Sequence, residues 1–246
     1  MKAIILAAGR GSRMGEKTAD LPKCLMKLWG KTLLERQLAA IRKGGIEDIC
    51  VVTGYLAEKV KASQPELTFF HNESWADTNM VSTLLKAEKW LLSDDCLISY
   101  ADIVYEAEAV RLLVESTADI AVAYYTDFLQ LWQKRFANPL DDLETFKTDK
   151  EAYLTEIGHR TASLEDIQGQ YMGLLRITPA GWAKIRRAMA GDLPKPLAKT
   201  DMTALLSYLL LQGIKVKAIP YGGLWLEVDS PTDLALYENN PAIKRN

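Results

Sequence analysis

The sequence predicts an α/β protein built on an open, mainly parallel sheet with helices on both faces. Three observations lead there. Residues 2–8 are a continuous apolar run, the composition of a strand buried on both faces. Short apolar runs then alternate with segments whose apolar residues recur at helical spacing, as in successive strand–helix–strand units. The first run also leads straight into a glycine-bearing loop, and in open α/β sheets ligands bind at that C-terminal strand edge.

In order, residues 2–8 form the first strand. Residues 32–42 predict a helix, with Leu33, Leu34, Leu38, Ala39 and Ile41 in one stripe and Gly44-Gly45 as the stop. A second strand covers 48–53, a polar helix lies near 57–62, and a third strand covers 67–71. Asp77 is placed to cap a helix running to about 92, with Met80, Val81, Leu84, Leu85, Ala87 and Leu91 on its inner face. Strands follow over 96–101 and 119–124. The middle reads differently, as a hairpin over 144–157 turning at Thr148-Asp149-Lys150 and a further strand over 170–177. Residues 179–189 and 200–211 read as helices, 215–219 and 225–228 as strands that complete the set, and a last helix starts at Pro231. Residues 190–199, with two prolines and a glycine, are the one loop-like break. No repeat or long linker divides the chain, so it reads as a single domain over 1–246 with a small mixed lobe, assigned to the acceptor, at about 125–200.

Composition sets the outer bounds. The 246 residues are 48% hydrophobic and 25% charged, an ordinary balance with material for a sizeable core. A net charge of −2 argues against sequence-independent nucleic-acid binding, which wants a basic excess. Cys24, Cys50 and Cys96 are widely spaced and read as reduced, packed thiols rather than zinc ligands or disulfides. Residues 3–8 mimic an export signal, but Gly9-Arg10-Gly11-Ser12-Arg13 cuts it short, and no run approaches the roughly 18 apolar residues of a membrane span. A cytoplasmic protein without a membrane partner is expected, and a homodimer is left open.

The strongest chemical signal is Leu6-Ala7-Ala8-Gly9-Arg10-Gly11-Ser12-Arg13, followed by Pro22-Lys23. Glycines let backbone N–H groups close on phosphate oxygens, and Arg13 and Lys23 add positive charge. Two familiar glycine loops do not fit. A Walker A loop would need its second glycine at Met14 or Glu16, and a dinucleotide fingerprint needs its third at Met14, whereas Gly15 comes one residue late.

On these residues the chain resembles the nucleotidyltransferases that activate sugar phosphates and related compounds, whose signature is L-A-A-G-x-G-[ST]-R followed by P-K. The resemblance implies a Rossmann-like nucleotidyltransferase fold and is densest at residues 1–30, 77–105, 131–140 and 225–233. It implies that Leu6, Ala7, Ala8, Gly9, Gly11, Ser12, Arg13 and Ala101 bind the nucleotide. Lys23 would be catalytic, bridging acceptor phosphate and α-phosphate, with Arg13 assisting.

Asp102 ends the run Ile98-Ser99-Tyr100-Ala101, and Asp229 follows Trp225-Leu226-Glu227-Val228. Each alone has an ordinary explanation: a turn for Asp102, and for Asp229 a helix start with Ser230 as cap and Pro231 at the first position. Both match the family's metal aspartates, which implies Mg²⁺, a hard cation that favours oxygen ligands. No general base is needed, because an attacking phosphate or phosphonate oxygen is already anionic. His71 and His159 are accordingly assigned structural or surface roles.

The family reads base and ribose near residues 76–83. This chain lacks the glycine-rich turn common in sugar-phosphate members. Its Thr78-Asn79 resembles the cytidylyltransferases acting on phosphocholine, aminoethylphosphonate and phosphorylated amino acids such as phosphoglutamine, so CTP is the expected nucleotide. The strings at 98–105, 131–140 and 170–174 resemble the phosphoglutamine branch, associated with capsule or cell-surface polysaccharide biosynthesis. Lys134 and Arg135 could pair with an acceptor's phosphate or carboxylate, Trp132 could shelter an alkylammonium head by cation–π contact, and Tyr171 lies in the same acceptor set. Two alternatives stand beside this reading. One is a sugar-1-phosphate nucleotidyltransferase using UTP, dTTP or GTP. The other is a non-catalytic nucleotide-binding regulator, which would be expected to have lost Lys23, Arg13 or a metal aspartate.

Overall fold

The computed structural model describes residues 1–240 and 243. In chain order its strands are β1 (Lys2–Ala7), β2 (Lys27–Leu28), β3 (Lys31–Thr32), β4 (Ile49–Thr53), β5 (Thr68–His71), β6 (Cys96–Tyr100), β7 (Ile103–Tyr105), β8 (Ile120–Tyr125), β9 (Glu144–Thr148), β10 (Leu154–Arg160), β11 (Gln170–Ile177), β12 (Lys217–Tyr221) and β13 (Trp225–Glu227). The helices are α1 (Leu33–Lys43), α2 (Ala57–Ser63), α3 (Met80–Leu85), α4 (Glu88–Ser93), α5 (Ala107–Val114), α6 (Phe128–Arg135), α7 (Pro179–Met189), α8 (Met202–Leu211) and α9 (Pro231–Glu238).

The main sheet runs β12-β8-β11-β6-β1-β4-β5. All of its pairings are parallel except those that β11 makes with β6 and β8. β1 is buried on both faces, as its unbroken apolar composition predicts. Ala3, Ile5 and Ala7 enter the core that holds Leu34 and Leu38 of α1 and Val110 of α5. Ile4 and Leu6 enter the core that holds Val81 and Leu84 of α3, Trp182 of α7 and Leu205 of α8.

Helix α1 is fixed at its start by a capping box, in which Thr32 accepts from the Glu35 N–H and Glu35 accepts from the Thr32 N–H. Its buried face includes Gln37, and Ala39 is exposed, contrary to the expected stripe. The Gln37 amide donates to the carbonyls of Tyr100 and Ile103, tying α1 to the turn that carries Asp102.

The single helix expected from Asp77 to about 92 is two. Asn79 rather than Asp77 is the cap, its Oδ1 accepting from the Met80 N–H. Residues 72–77 are instead held in a turn by Asn72, and the Asp77 N–H donates to the Ser74 carbonyl. The break comes at Lys86 and Ala87, whose N–H groups tighten onto Thr83 and Leu84, and Ala87 leaves helical geometry before α4 begins.

The strand expected at 225–228 does not join the main sheet. As β13 it pairs antiparallel with β7, with Trp225 opposite Tyr105 and Glu227 opposite Ile103. This small ladder positions the site, as described below. Residues 126–169 leave the sheet between β8 and β11 and carry α6 and the β9–β10 hairpin. β11 and α7, inside the range expected for the lobe, belong to the sheet and its covering layer. Among the described residues, no helix is long and apolar enough to cross a membrane.

Candidate active site

Two adjoining cavities open at the C-terminal ends of β1 and β6. The first, of about 280 Å³, is lined by Leu6, Ala7, Ala8, Gly9, Gly11, Ser12 and Arg13, by Lys23, by Thr78 and Asn79, and by Ala101 and Asp102. The structure thus brings together every residue expected to bind the nucleotide. Gly11 lies in the left-handed region at φ 67°, and a Cβ there would stand 2.9 Å from Lys23 Cδ. Glycine therefore lets the loop close over the lysine stem, which a larger residue would displace.

The β7–β13 ladder explains how two distant aspartates meet. Asp102 directly precedes β7 and Asp229 lies two residues past β13, so an antiparallel pairing puts both at the same end. The Val228 N–H donates to the Asp102 carbonyl at 2.9 Å and seals that end. Lys23 Nζ then lies between the carboxylates, 2.7 Å from Asp102 Oδ2 and 2.7 Å from Asp229 Oδ1. Burial alone would lower the Lys23 pKa, but the two carboxylates outweigh it and hold the value above that of an ordinary lysine. Arg13 reaches Asp229 at 2.9 Å while its side chain remains 68% exposed, free to swing towards an anion.

Asp229 is under the same competition. Burial pushes its pKa up, but Lys23, Arg13 and Arg135 bring it below the usual aspartate value. Asp102 Oδ1 is buried and has no hydrogen-bond partner among the described residues. An orphaned carboxylate oxygen beside a second carboxylate, both already gathered around one cation, suits a hard metal ion that takes its remaining ligands from water and phosphate.

The second cavity, of about 210 Å³, meets the first at Arg13, and Asp229 lies on its wall. Its wall is aromatic and acidic: Tyr100, Trp132, Phe146, Tyr171 and Trp225, with Asp142, Glu144 and Glu227. Trp132 stacks on Trp225 with centroids 5.8 Å apart and planes 8° off parallel, and its indole N–H donates to Asp142. The Tyr171 hydroxyl is buried with no hydrogen-bond partner among the described residues. Burial raises the pKa of Glu144. Burial first, then the Asp229 and Asp102 carboxylates, push Glu227 up to about 8.

The expected acceptor residues divide. Trp132 and Tyr171 line this cavity; Lys134 and Arg135 do not. On α6, Trp132 and Arg135 are three apart and share the inner face, so Lys134 between them points elsewhere. Lys134 lines a shallow groove with Thr232 and Ala235. Arg135 is turned inward, its side chain only 1% exposed, and pairs with Asp233 at 2.9 Å, Glu227 at 3.3 Å and Asp229 at 3.7 Å. Its guanidinium also lies over the Trp132 and Phe136 rings. With no donor turned to the cavity, Arg135 acts as the buried counter-ion of Asp229 and Asp233, with Glu227 as a third partner. Arg135→Met is expected to destabilise the fold by about 3–5 kcal/mol, because it strands buried carboxylates. Urea unfolding checks this, and a loss below about 1 kcal/mol, the range of a surface pair, would contradict it.

Sequence reading also missed Asp142, Glu144, Glu227 and Asp233. Only Asp233 carried a signal, since Ser230-x-x-Asp233 has capping-box spacing, and that box forms. His71 and His159 lie outside both cavities, each touching a hydroxyl at 3.3 Å. The three cysteines are buried and unpaired.

The sheet and its loop-lined cleft place the chain among α/β nucleotidyltransferases. The family model of the MobA-like NTP transferase domain matches residues 3–164, and the chain belongs to that family. It is 34% identical over 249 residues to the CTP:phosphoglutamine cytidylyltransferase of Campylobacter jejuni, covering 95% of this chain and 98% of that one. It is 36% identical over 106 residues to the choline-phosphate cytidylyltransferase of Haemophilus influenzae, covering 42% of this chain and 45% of the other. Among solved structures, the inositol-1-phosphate CTP transferase from T. maritima superposes with a TM-score of 0.74 at 20% identity, covering 100% of this chain and 96% of that one. The CTP:phosphocholine cytidylyltransferase from Streptococcus pneumoniae gives 0.67 at 19% identity, covering 96% of this chain and 97% of that one. These two likenesses speak to the fold.

Proposed function

We propose that the protein is a magnesium-dependent cytidylyltransferase that moves CMP from CTP to a small phosphate- or phosphonate-bearing acceptor with an ammonium group, releasing pyrophosphate. One observation carries this reading: a glycine-loop cleft and an aromatic, acidic cavity adjoin at Arg13, and Lys23 of the first pairs with Asp102 of the first and Asp229 of the second.

The loop N–H groups and Arg13 would hold the triphosphate in the first cavity, and Asn79 would meet the cytosine. The Asn79 carboxamide oxygen is used in capping α3, whereas its nitrogen has no protein partner among the described residues, so capping and base contact are compatible. Asp102 and Asp229 would hold Mg²⁺, which supplies positive charge to the phosphates when bound. An acceptor oxygen, already anionic, attacks the α-phosphorus in line as the bond to pyrophosphate breaks. Lys23 would leave its carboxylates to lie between the two anions that approach each other.

In the second cavity, aromatic faces and carboxylates favour a cationic head, and Arg13 is the cation on its wall. Phosphocholine, aminoethylphosphonate and phosphoglutamine all present an ammonium group. The test is pyrophosphate release with each of four nucleoside triphosphates against these three acceptors and glucose-1-phosphate, with and without a chelator. CTP with one ammonium acceptor, and only with magnesium, is the expected result. Faster release from UTP or dTTP with the sugar phosphate overturns the proposal.

A further inference from the structure

Among the described residues, Trp75 is the one aromatic side chain on the wall of the first cavity, and neither the glycine loop nor the metal aspartates explain it. We infer that Trp75 is the stacking platform for the nucleotide's base, an assignment that rests on the nucleotide reading above.

Trp75 is half-buried in the turn that leads to Thr78 and Asn79, which line the same cleft. The indole N–H groups of Trp29, Trp132, Trp182 and Trp225 each donate to a protein acceptor, as packed tryptophans do. Those of Trp75 and Trp90, both half-buried, have no protein acceptor among the described residues, and of these two only Trp75 lines the cavity. Its ring is nevertheless braced. Tyr55 meets it edge-on, centroids 5.2 Å apart and planes at 61°. The Tyr55 hydroxyl donates to the carbonyls of Thr18 and Ala19, at the far end of the phosphate loop, and its N–H donates to Ala8. At Gly54 a Cβ would come within 2.6 Å of both Trp75 Cβ and the Ala8 carbonyl oxygen, so glycine there draws the tryptophan against the loop. From below, Asn72 is fully buried; its carbonyl accepts the Trp75 N–H and its side chain fixes Ser74, Thr78 and Thr83.

A rigid, partly open ring beside a triphosphate cradle is arranged to receive a flat apolar face. Stacking tolerates any base, because every base has a π-face. Trp75 therefore sets how tightly the nucleotide binds, while the polar edge at Thr78 and Asn79 is left to choose the base.

The experiment measures binding of CTP, UTP and inorganic tripolyphosphate to the wild-type enzyme and to the Trp75→Leu and Trp75→Phe variants, with KM for the acceptor alongside. Trp75→Leu, which keeps apolar bulk without a ring, should weaken CTP and UTP by a similar factor, on the order of 10–100-fold. Tripolyphosphate, which has no base, and the acceptor KM should be unaffected. Trp75→Phe should recover most of the loss, and it remains informative if the leucine variant folds poorly. Equal loss of tripolyphosphate and CTP makes Trp75 a brace of the loop and overturns the inference; so does undiminished CTP binding. If the wild-type enzyme binds tripolyphosphate but no nucleoside triphosphate better, the nucleotide reading fails and takes the platform with it.

Discussion

Lys23→Ala is expected to lower kcat by on the order of 100-fold or more, the size seen when one preorganised charge-stabilising donor is removed. The KM for CTP should change less. On the proposed reading Lys23 would act where two phosphates are forced together, which happens only as the transition state is approached. With its pKa held above that of an ordinary lysine, the ammonium is charged at neutral and moderately alkaline pH, so its own titration should leave no inflection in the rate near neutrality. Lys23→Arg should not restore activity. The stem runs beneath Gly11, where even one added carbon would stand at 2.9 Å, and a planar guanidinium cannot take the ammonium's place between two carboxylates.

A rival role is that Lys23 merely neutralises Asp102 and Asp229. Removing it would then destabilise the protein by leaving two carboxylates face to face, with any loss of activity following from that. Magnesium separates the two. It should restore the melting temperature of Lys23→Ala by replacing the missing charge, while kcat stays low if the lysine acts on the phosphates. A folded variant with unchanged kcat would falsify the catalytic role.

Much of this site was legible in the sequence because its chemistry is local. Residues 6–13 form a strand end and a loop, and both follow from composition and from glycine's lack of a Cβ. The conflict lies with what depends on pairing across the chain. β7 is three residues long, too short for any periodicity, yet it brings Asp102 beside Asp229. α5 and α6, each of eight residues, also went unread. Arg135 reads with Lys134 as a pair for the acceptor because adjacency in sequence says nothing about which helix face is covered. Its partners lie at positions 227, 229 and 233, on the far side of the fold's connectivity. The acidic, aromatic wall of the second cavity draws on β6, α6, β9, β11 and β13 at once, and no single window of sequence contains it.

Asp102→Ala and Asp229→Ala should each cost on the order of 10³-fold in kcat, if both carboxylates hold the same metal ion and its charge is what stabilises the phosphates. The double variant should then be little worse than either single one, because residues that act as a unit are lost together. Stability should tell the two residues apart. Among the described residues Asp102 pairs with Lys23 alone, whereas Asp229 faces Lys23, Arg13 and Arg135. Asp229→Ala should therefore destabilise the apoenzyme more. Its pH dependence should change as well: a carboxylate whose folded pKa lies below the ordinary aspartate value contributes stability above that value, which is lost as pH falls through the folded one. Asp229→Asn should flatten that acid limb. The measurements are kcat across a magnesium titration, metal binding by calorimetry, and urea unfolding between neutral pH and about pH 3, below the ordinary carboxylate range. Losses that multiply in the double variant, or either single variant turning over normally at ordinary magnesium, would separate the two aspartates and leave the metal with at most one of them.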